Sequence, residues 1–291
     1  MVEQLRIRRS IQVMWQEYLQ GNEKPFMELI RAWHGIQKLS KTDPGNEHSF
    51  FKIGGFHGEP FRGAGYGNAA WWGGWCNHGN VLFPTWHRAY CMRIENALRS
   101  IPGCGDVTLL FWDETGEETK GHGVPAIFHQ EKFFLDGKTI DNPLYSFEFP
   151  QTITDHVDPD FLYTKASGYE TVRYPYSGRH NRHCCTQCED LFGQSGGEPQ
   201  LQCEKLADFE IEVTEKDAKG KAVKKLIPTG TPRKSEECLK EPNFTVFSNT
   251  TSAMQWNDSH ELAEHVMPLE SHHNDMHLAA GGFDVPGQGD D

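Results

Sequence analysis

Five histidines define the chemistry open to this chain. Two lie nine positions apart in Trp75-Cys76-Asn77-His78-Gly79-Asn80-Val81-Leu82-Phe83-Pro84-Thr85-Trp86-His87-Arg88. His78 sits in a Gly-flanked loop, and His87 just inside a helix that Pro84 can start. A third, His57, lies in Phe50-Phe51-Lys52-Ile53-Gly54-Gly55-Phe56-His57-Gly58-Glu59-Pro60, where flanking glycines are expected to let the backbone turn and aim the ring. Alone, such a histidine is as well explained by simple solvation. The last two, His273 and His277, are four residues apart in a helical pattern over Leu269–Ala280 that stops at Gly281-Gly282. At about 100° per residue, Glu270, His273 and His277 fall within about 60° of one another, while His272 points about 140° away from His277. An i,i+4 histidine pair is a two-armed metal clamp, so His273 and His277 are the candidates and His272 a neighbour or an exposed residue. An all-imidazole set without thiolate or several carboxylates favours copper, zinc or iron over calcium or magnesium. The His-Glu-x-x-His order of zinc proteases is absent.

Positioning five rings needs a rigid frame, and the hydrophobic pattern supplies one. Leu5, Ile7, Ile11, Met14, Trp15 and Tyr18 predict a helix over 3–19. Pro25 opens a second, with Phe26, Leu29, Ile30, Trp33, Ile36 and Leu39 on one stripe, and His34 lies off its centre. From Thr42 to Asn80 glycine dominates and little regular structure is legible. Pro84 to Ser100 reads as a helix with His87 on its first turn and Cys91 as a small core residue. Thr108–Trp112 reads as a short buried run, and 120–180 as irregular structure with short helices. Lys216–Lys225 looks like a mobile hairpin or loop. Ser259 can cap a helix running to Met267, after which Pro268 starts the histidine helix.

The totals exclude several classes. Charge is −13, from 28 Lys+Arg against 41 Asp+Glu, which speaks against nucleic acid and anionic lipid as partners. No apolar run is long enough to span a membrane. The first residues lack the basic-then-apolar pattern of a signal peptide, so a cytoplasmic location is the expectation, and sequons at Asn243, Asn249 and Asn257 are read as chance. The 15 His and 8 Trp fit a histidine site walled by aromatics. Cys184, Cys185, Cys188 and Cys203 cluster with His180 and His183, and Cys238 follows. Zinc, free thiols and disulfides are all open there, with local disulfides preferred.

Together these stretches resemble the type 3 copper proteins: tyrosinases, catechol oxidases and molluscan haemocyanins. Residues 53–61 are similar to the segment holding the first copper A ligand, especially in fungal tyrosinases. Trp75–Arg88 is similar to the second and third ligand segment, and Leu269–His277 with its closing glycines to the copper B helix. The resemblance is good over 1–150 and 255–285 and poor over 180–250. It implies a mainly α fold, an antiparallel helical bundle with long irregular loops around two coppers. Copper A would take His57, His78 and His87, and copper B His273 and His277. It also implies oxidation of phenols by dioxygen, as o-hydroxylation of monophenols, conversion of o-diphenols to o-quinones, or both. Cys76 and His78 match a pair that carries a thioether cross-link in fungal and molluscan members. Glu270 and Asn274 match positions that hold and polarise a water near copper B. Trp112-Asp113 matches a structural motif, with Asp113 expected to bond backbone or arginine.

One departure stands out. The family's third copper B ligand comes from a following helix, yet only 14 residues follow His277 and none is histidine. His260 and His265 do not match the motif. The reading is therefore one tyrosinase-like copper-binding domain over 1–291, C-terminally incomplete, with 180–250 as a cysteine-rich insertion and a weak copper B. The alternatives are an oxygen-binding haemocyanin-like unit, or an inactive fragment with only copper A complete.

Overall fold

Apolar residues spaced three and four apart along Phe26, Leu29, Ile30 and Ile36 leave one helix face with nowhere to go but inward, and all four are buried. In the computed structural model, which describes residues 5–58, 76–122, 124–154, 164–171, 210–216, 219–228 and 230–280, they lie on α2 (Lys24–Thr42). Around it pack α1 (Ile11–Leu19), α3 (Phe50–Gly58) and α4 (Phe83–Arg99). Ile11, Ile53, Ala97 and Leu98 close the same core. The chain continues through α5 (Glu117–His122) and the hairpin β1 (Lys132–Leu135)–β2 (Lys138–Asp141). A second hairpin pairs β3 (Glu210–Lys216) with β4 (Ala222–Pro228). Four helices follow: α6 (Thr231–Cys238), α7 (Phe244–Ser248), α8 (Thr250–Asn257) and α9 (Leu269–Ala280). A smaller core of Val246, Ala253 and Val266 with Trp256 lies among α7, α8 and the approach to α9. The mainly α expectation is met: α4 and α9 lie within a residue of the predicted bounds, and α2 starts one residue before Pro25 and runs three past the Leu39 that ends its stripe.

Several expectations are corrected. The first helix begins at Ile11 rather than residue 3, because Arg6 and Arg8 are drawn to Glu95 of α4, 3.1 Å away in each case. Glu95 is fully buried and also accepts the Leu109 N–H at 2.9 Å. Burial alone would raise its pKa, but the Leu109 N–H and both guanidiniums outweigh that and hold it below the ordinary value. Ser10 then pairs with Phe111, which is 47 % exposed, so the run 108–112 is only partly buried. His57 sits in the last turn of a helix, α3, not in a freely turning loop. Ser49 caps that helix by accepting the Lys52 N–H at 3.0 Å, and Ser40 of α2 accepts the Phe51 N–H at 3.0 Å.

Ser259 starts no helix. Its hydroxyl donates back to Gln255 and Trp256 carbonyls and ends α8, and only a short 3-10 turn, Leu262–Glu264, precedes α9. Among the described residues the Asp113 carboxylate accepts from the Thr115 hydroxyl, at 3.2 Å on Oδ1, where a backbone or arginine partner was expected. Within Lys216–Lys225, Lys216 and residues 222–225 pair in the β3–β4 hairpin. Cys238 is a free, buried thiol donating to the Ser235 carbonyl at 3.2 Å, with its pKa pushed up to about 11 by burial and then by Glu241. Cys184, Cys185, Cys188 and Cys203 lie outside the described residues, as do His180 and His183. Of the three sequon asparagines, Asn249 is wholly buried as the cap of α8, and Asn257 is bonded to both backbone groups of Val266. Among the described residues no helix is long and apolar enough to cross a membrane.

Candidate metal centre

The N-terminal core and the α7–α9 unit meet at the histidines. One ligand atom each from His57, His78, His87 and His273 lies within 4.8 Å of the others. His57 Nε2 is 3.2 Å from His87 Nε2, and His78 Nε2 is 3.3 Å from it, so His87 is the hub. His277 Nε2 approaches His273 Nε2 at 2.8 Å, and its ring centroid is 5.5 Å from that of His57. All five candidates thus converge, and His273 closes onto the first three instead of standing apart from them. His260 and His265 do not join: His260 stacks on Trp256 at 3.9 Å, and His265 Nε2 is 3.2 Å from the His260 carbonyl.

Local structure explains the aim of each ring. Phe83 and Pro84 start α4, which puts His87 one turn in, where its Nδ1 donates to the Phe83 carbonyl at 2.8 Å. That bond fixes the tautomer and leaves Nε2 with a lone pair directed at the cluster. His78 is followed by Gly79 with φ +66°, a conformation that suits glycine. The turn presents the Gly79 N–H to Glu270 Oε1 at 2.8 Å. Glu270 Oε2 accepts the Thr250 N–H at 2.8 Å and its hydroxyl at 3.0 Å. Glu270 is 1 % exposed, so this carboxylate is a buried bridge joining the His78 loop, the start of α8 and the first turn of α9. Asn274 is exposed beside it on α9.

Aromatic rings wall the cluster. Phe83, nearly inaccessible, has its centroid 4.4 Å from His87, 5.0 Å from His273 and 5.3 Å from His78. Trp86 and Tyr90 stack at 5.1 Å and flank His57. On their outer side opens a cavity of about 680 Å³ that also reaches Phe56 and Arg93. Burial first, and then the neighbouring imidazoles, push His57 down to about 3, His78 to about 4 and His273 to about 2. His87 and His277 are also lowered, mainly by burial. The His87 Nε2 lone pair can accept a proton from a facing ring nitrogen or join the other rings on a cation, and four convergent neutral imidazoles are the donor set of a metal site. His272 is buried rather than exposed, with Nε2 3.1 Å from a Glu114 oxygen but off the line of a hydrogen bond.

Phe83, Gly79 and Thr250 were not singled out from sequence. The Gly after His78 was a readable signal, but the other two depend on packing. Cys76 is fully buried, and its thiol donates to the His57 carbonyl at 2.7 Å. Burial, which outweighs a backbone hydrogen bond, pushes its pKa up to about 11.

A helical frame that closes five neutral imidazoles into one pocket defines a histidine-ligated metalloprotein. A family profile described as "Common central domain of tyrosinase" matches residues 47–289. The chain is 46 % identical over 313 residues to tyrosinase HcTyr2 of Hahella sp., covering 99 % of this chain and 54 % of that protein. It is 44 % identical over 292 residues to a tyrosinase of Aspergillus oryzae, covering 91 % of this chain and 51 % of that one. Its fold is similar to a solved tyrosinase of Burkholderia thailandensis, with TM-score 0.69 and 42 % identity over 96 % of this chain and 53 % of the other. The chain belongs to the tyrosinase family, and it spans about half the length of the curated relatives it matches. Tyrosinases bind two copper ions, and the all-imidazole donor set present here fits them.

Proposed function

We propose that this chain is the copper-binding part of a tyrosinase-type enzyme that oxidises phenols with dioxygen. The observation carrying this reading is the convergence of His57, His78, His87, His273 and His277, from two distant parts of the chain, on one aromatic-walled pocket. Copper A is assigned to His57, His78 and His87, and copper B to His273 and His277. A third copper B ligand is not found among the described residues. When bound, the copper pair would supply two-electron chemistry with dioxygen.

The protein's own contribution is geometry and exclusion of water. His87 Nδ1 holds its ring through the Phe83 carbonyl, Glu270 locks the His78 loop to α9, and Phe83, Trp86 and Tyr90 wall the cluster. Glu270 and Asn274 are assigned the task of holding a water that takes the proton of a monophenol. A carboxylate offers about four acceptor positions, and three protein donors occupy Glu270, which leaves room for one more. The tie between distant segments supports a single domain over 1–291.

A thioether between Cys76 and His78 is also assigned, the buried thiol lying two residues from the ring it would fix. Peptide mapping of copper-loaded protein is expected to recover the two residues joined, whereas an alkylatable Cys76 would refute the link. The function itself is tested by oxygen uptake of copper-loaded protein with catechol and with tyrosine. Quinone formation is the expected result. Reversible oxygen binding without quinone would instead show a carrier, and copper binding with no oxygen chemistry an inactive copper A unit.

A further inference from the structure

Behind the histidine pair of α9 lies a nearly buried ion pair that the proposed chemistry does not use. Lys234 of α6 meets Asp275 at 2.5 Å, with side chains 13 % and 7 % exposed, and its Nζ is 3.5 Å from Ser271 Oγ. At about 100° per residue, Asp275 points about 160° away from both His273 and His277, so the pair grips the back of the helix whose front carries the ligands. Two pins then hold α9 at different heights. Glu270 fixes the first turn to the His78 loop and α8, and Asp275 fixes the middle to α6. The third back-face contact, His272 with Glu114, is off-line and pins little. With the first turn held, rotation or sliding of the remaining turns would draw a buried carboxylate from its ammonium, a costly move in a poorly solvated site.

We propose that Lys234 is a positioning residue for His273 and His277, setting the rotation of α9 and hence the direction of the copper B ligand pair. This rests on the copper reading above.

The test is stepwise copper(I) affinity, measured by competition with a chromophoric chelator, with circular dichroism as the check on folding. Lys234→Met and Asp275→Asn are expected to weaken the second copper by roughly ten- to hundredfold, the usual effect of losing a partner outside the ligand set, while the first is unchanged. Lys234→Arg, which keeps the charge, is expected to restore the second step. An equal fall in both steps, or no fall in either, would overturn the proposal. If Lys234→Met does not fold, the isosteric Asp275→Asn decides alone. A wild-type chain that takes up only one copper would overturn the copper B assignment itself, and this inference with it.

Discussion

Replacing His87 with alanine is expected to abolish tight copper binding at the first site while leaving the fold in place. His87 is the only ring whose Nε2 lies within hydrogen-bonding range of both other copper A candidates, at 3.2 and 3.3 Å. Its loss removes a donor whose tautomer is already fixed by the Phe83 carbonyl. Loss of a partner outside the ligand set costs metal sites about 10–100-fold, so loss of a ligand should cost on the order of a hundredfold or more. The fold should survive because His87 is only half-buried and the main core around α2 does not include it. Copper(I) affinity with a melting curve separates the two effects. His48→Ala, an exposed histidine outside the cluster, serves as the control and should bind copper normally. Unchanged first-site affinity in His87→Ala would remove this histidine from the site.

Glu270→Gln is the second large effect, and it has two readouts. The carboxylate is 1 % exposed and receives three donors, so an amide would turn an NH2 towards N–H or O–H groups that need an acceptor. An unsatisfied buried donor costs about 1–3 kcal/mol, and a loss of about 2 kcal/mol of stability is expected. The second readout concerns the proton of the substrate. Hydroxylation of a monophenol requires that proton to leave, and a positioned base contributes about 10²–10⁴-fold. Monophenol turnover should therefore fall by about a hundredfold relative to diphenol turnover, the low end of that range, because Asn274 remains. Equal rates on both substrates would leave Glu270 as a structural bridge alone.

The ligand helices were legible because their punctuation is strong. Pro84 opens α4, Gly281-Gly282 follow α9, and the spacing of His273 and His277 carries its own geometry. The helix bearing His57 was hidden by Gly54 and Gly55, which read as loop although Ser49 offered a capping signal. The first hairpin was missed although Asp136-Gly137 lies between two short strands, a strong local turn signal. The bridge from Glu270 to Gly79 spans 191 residues and the pair Lys234–Asp275 spans 41, and neither leaves a periodic trace. Such contacts follow from how helices pack, which single-residue types do not encode.

Five imidazoles from both ends of the chain are assigned here to a pair of coppers. X-ray absorption at the copper edge, on protein loaded with excess copper and then desalted, tests that assignment most directly. Nitrogen coordination with imidazole scattering, and a second copper as a near neighbour, are the expected result. Sulfur-dominated coordination, with no neighbouring copper, would place the metal on cysteines instead and contradict the assignment.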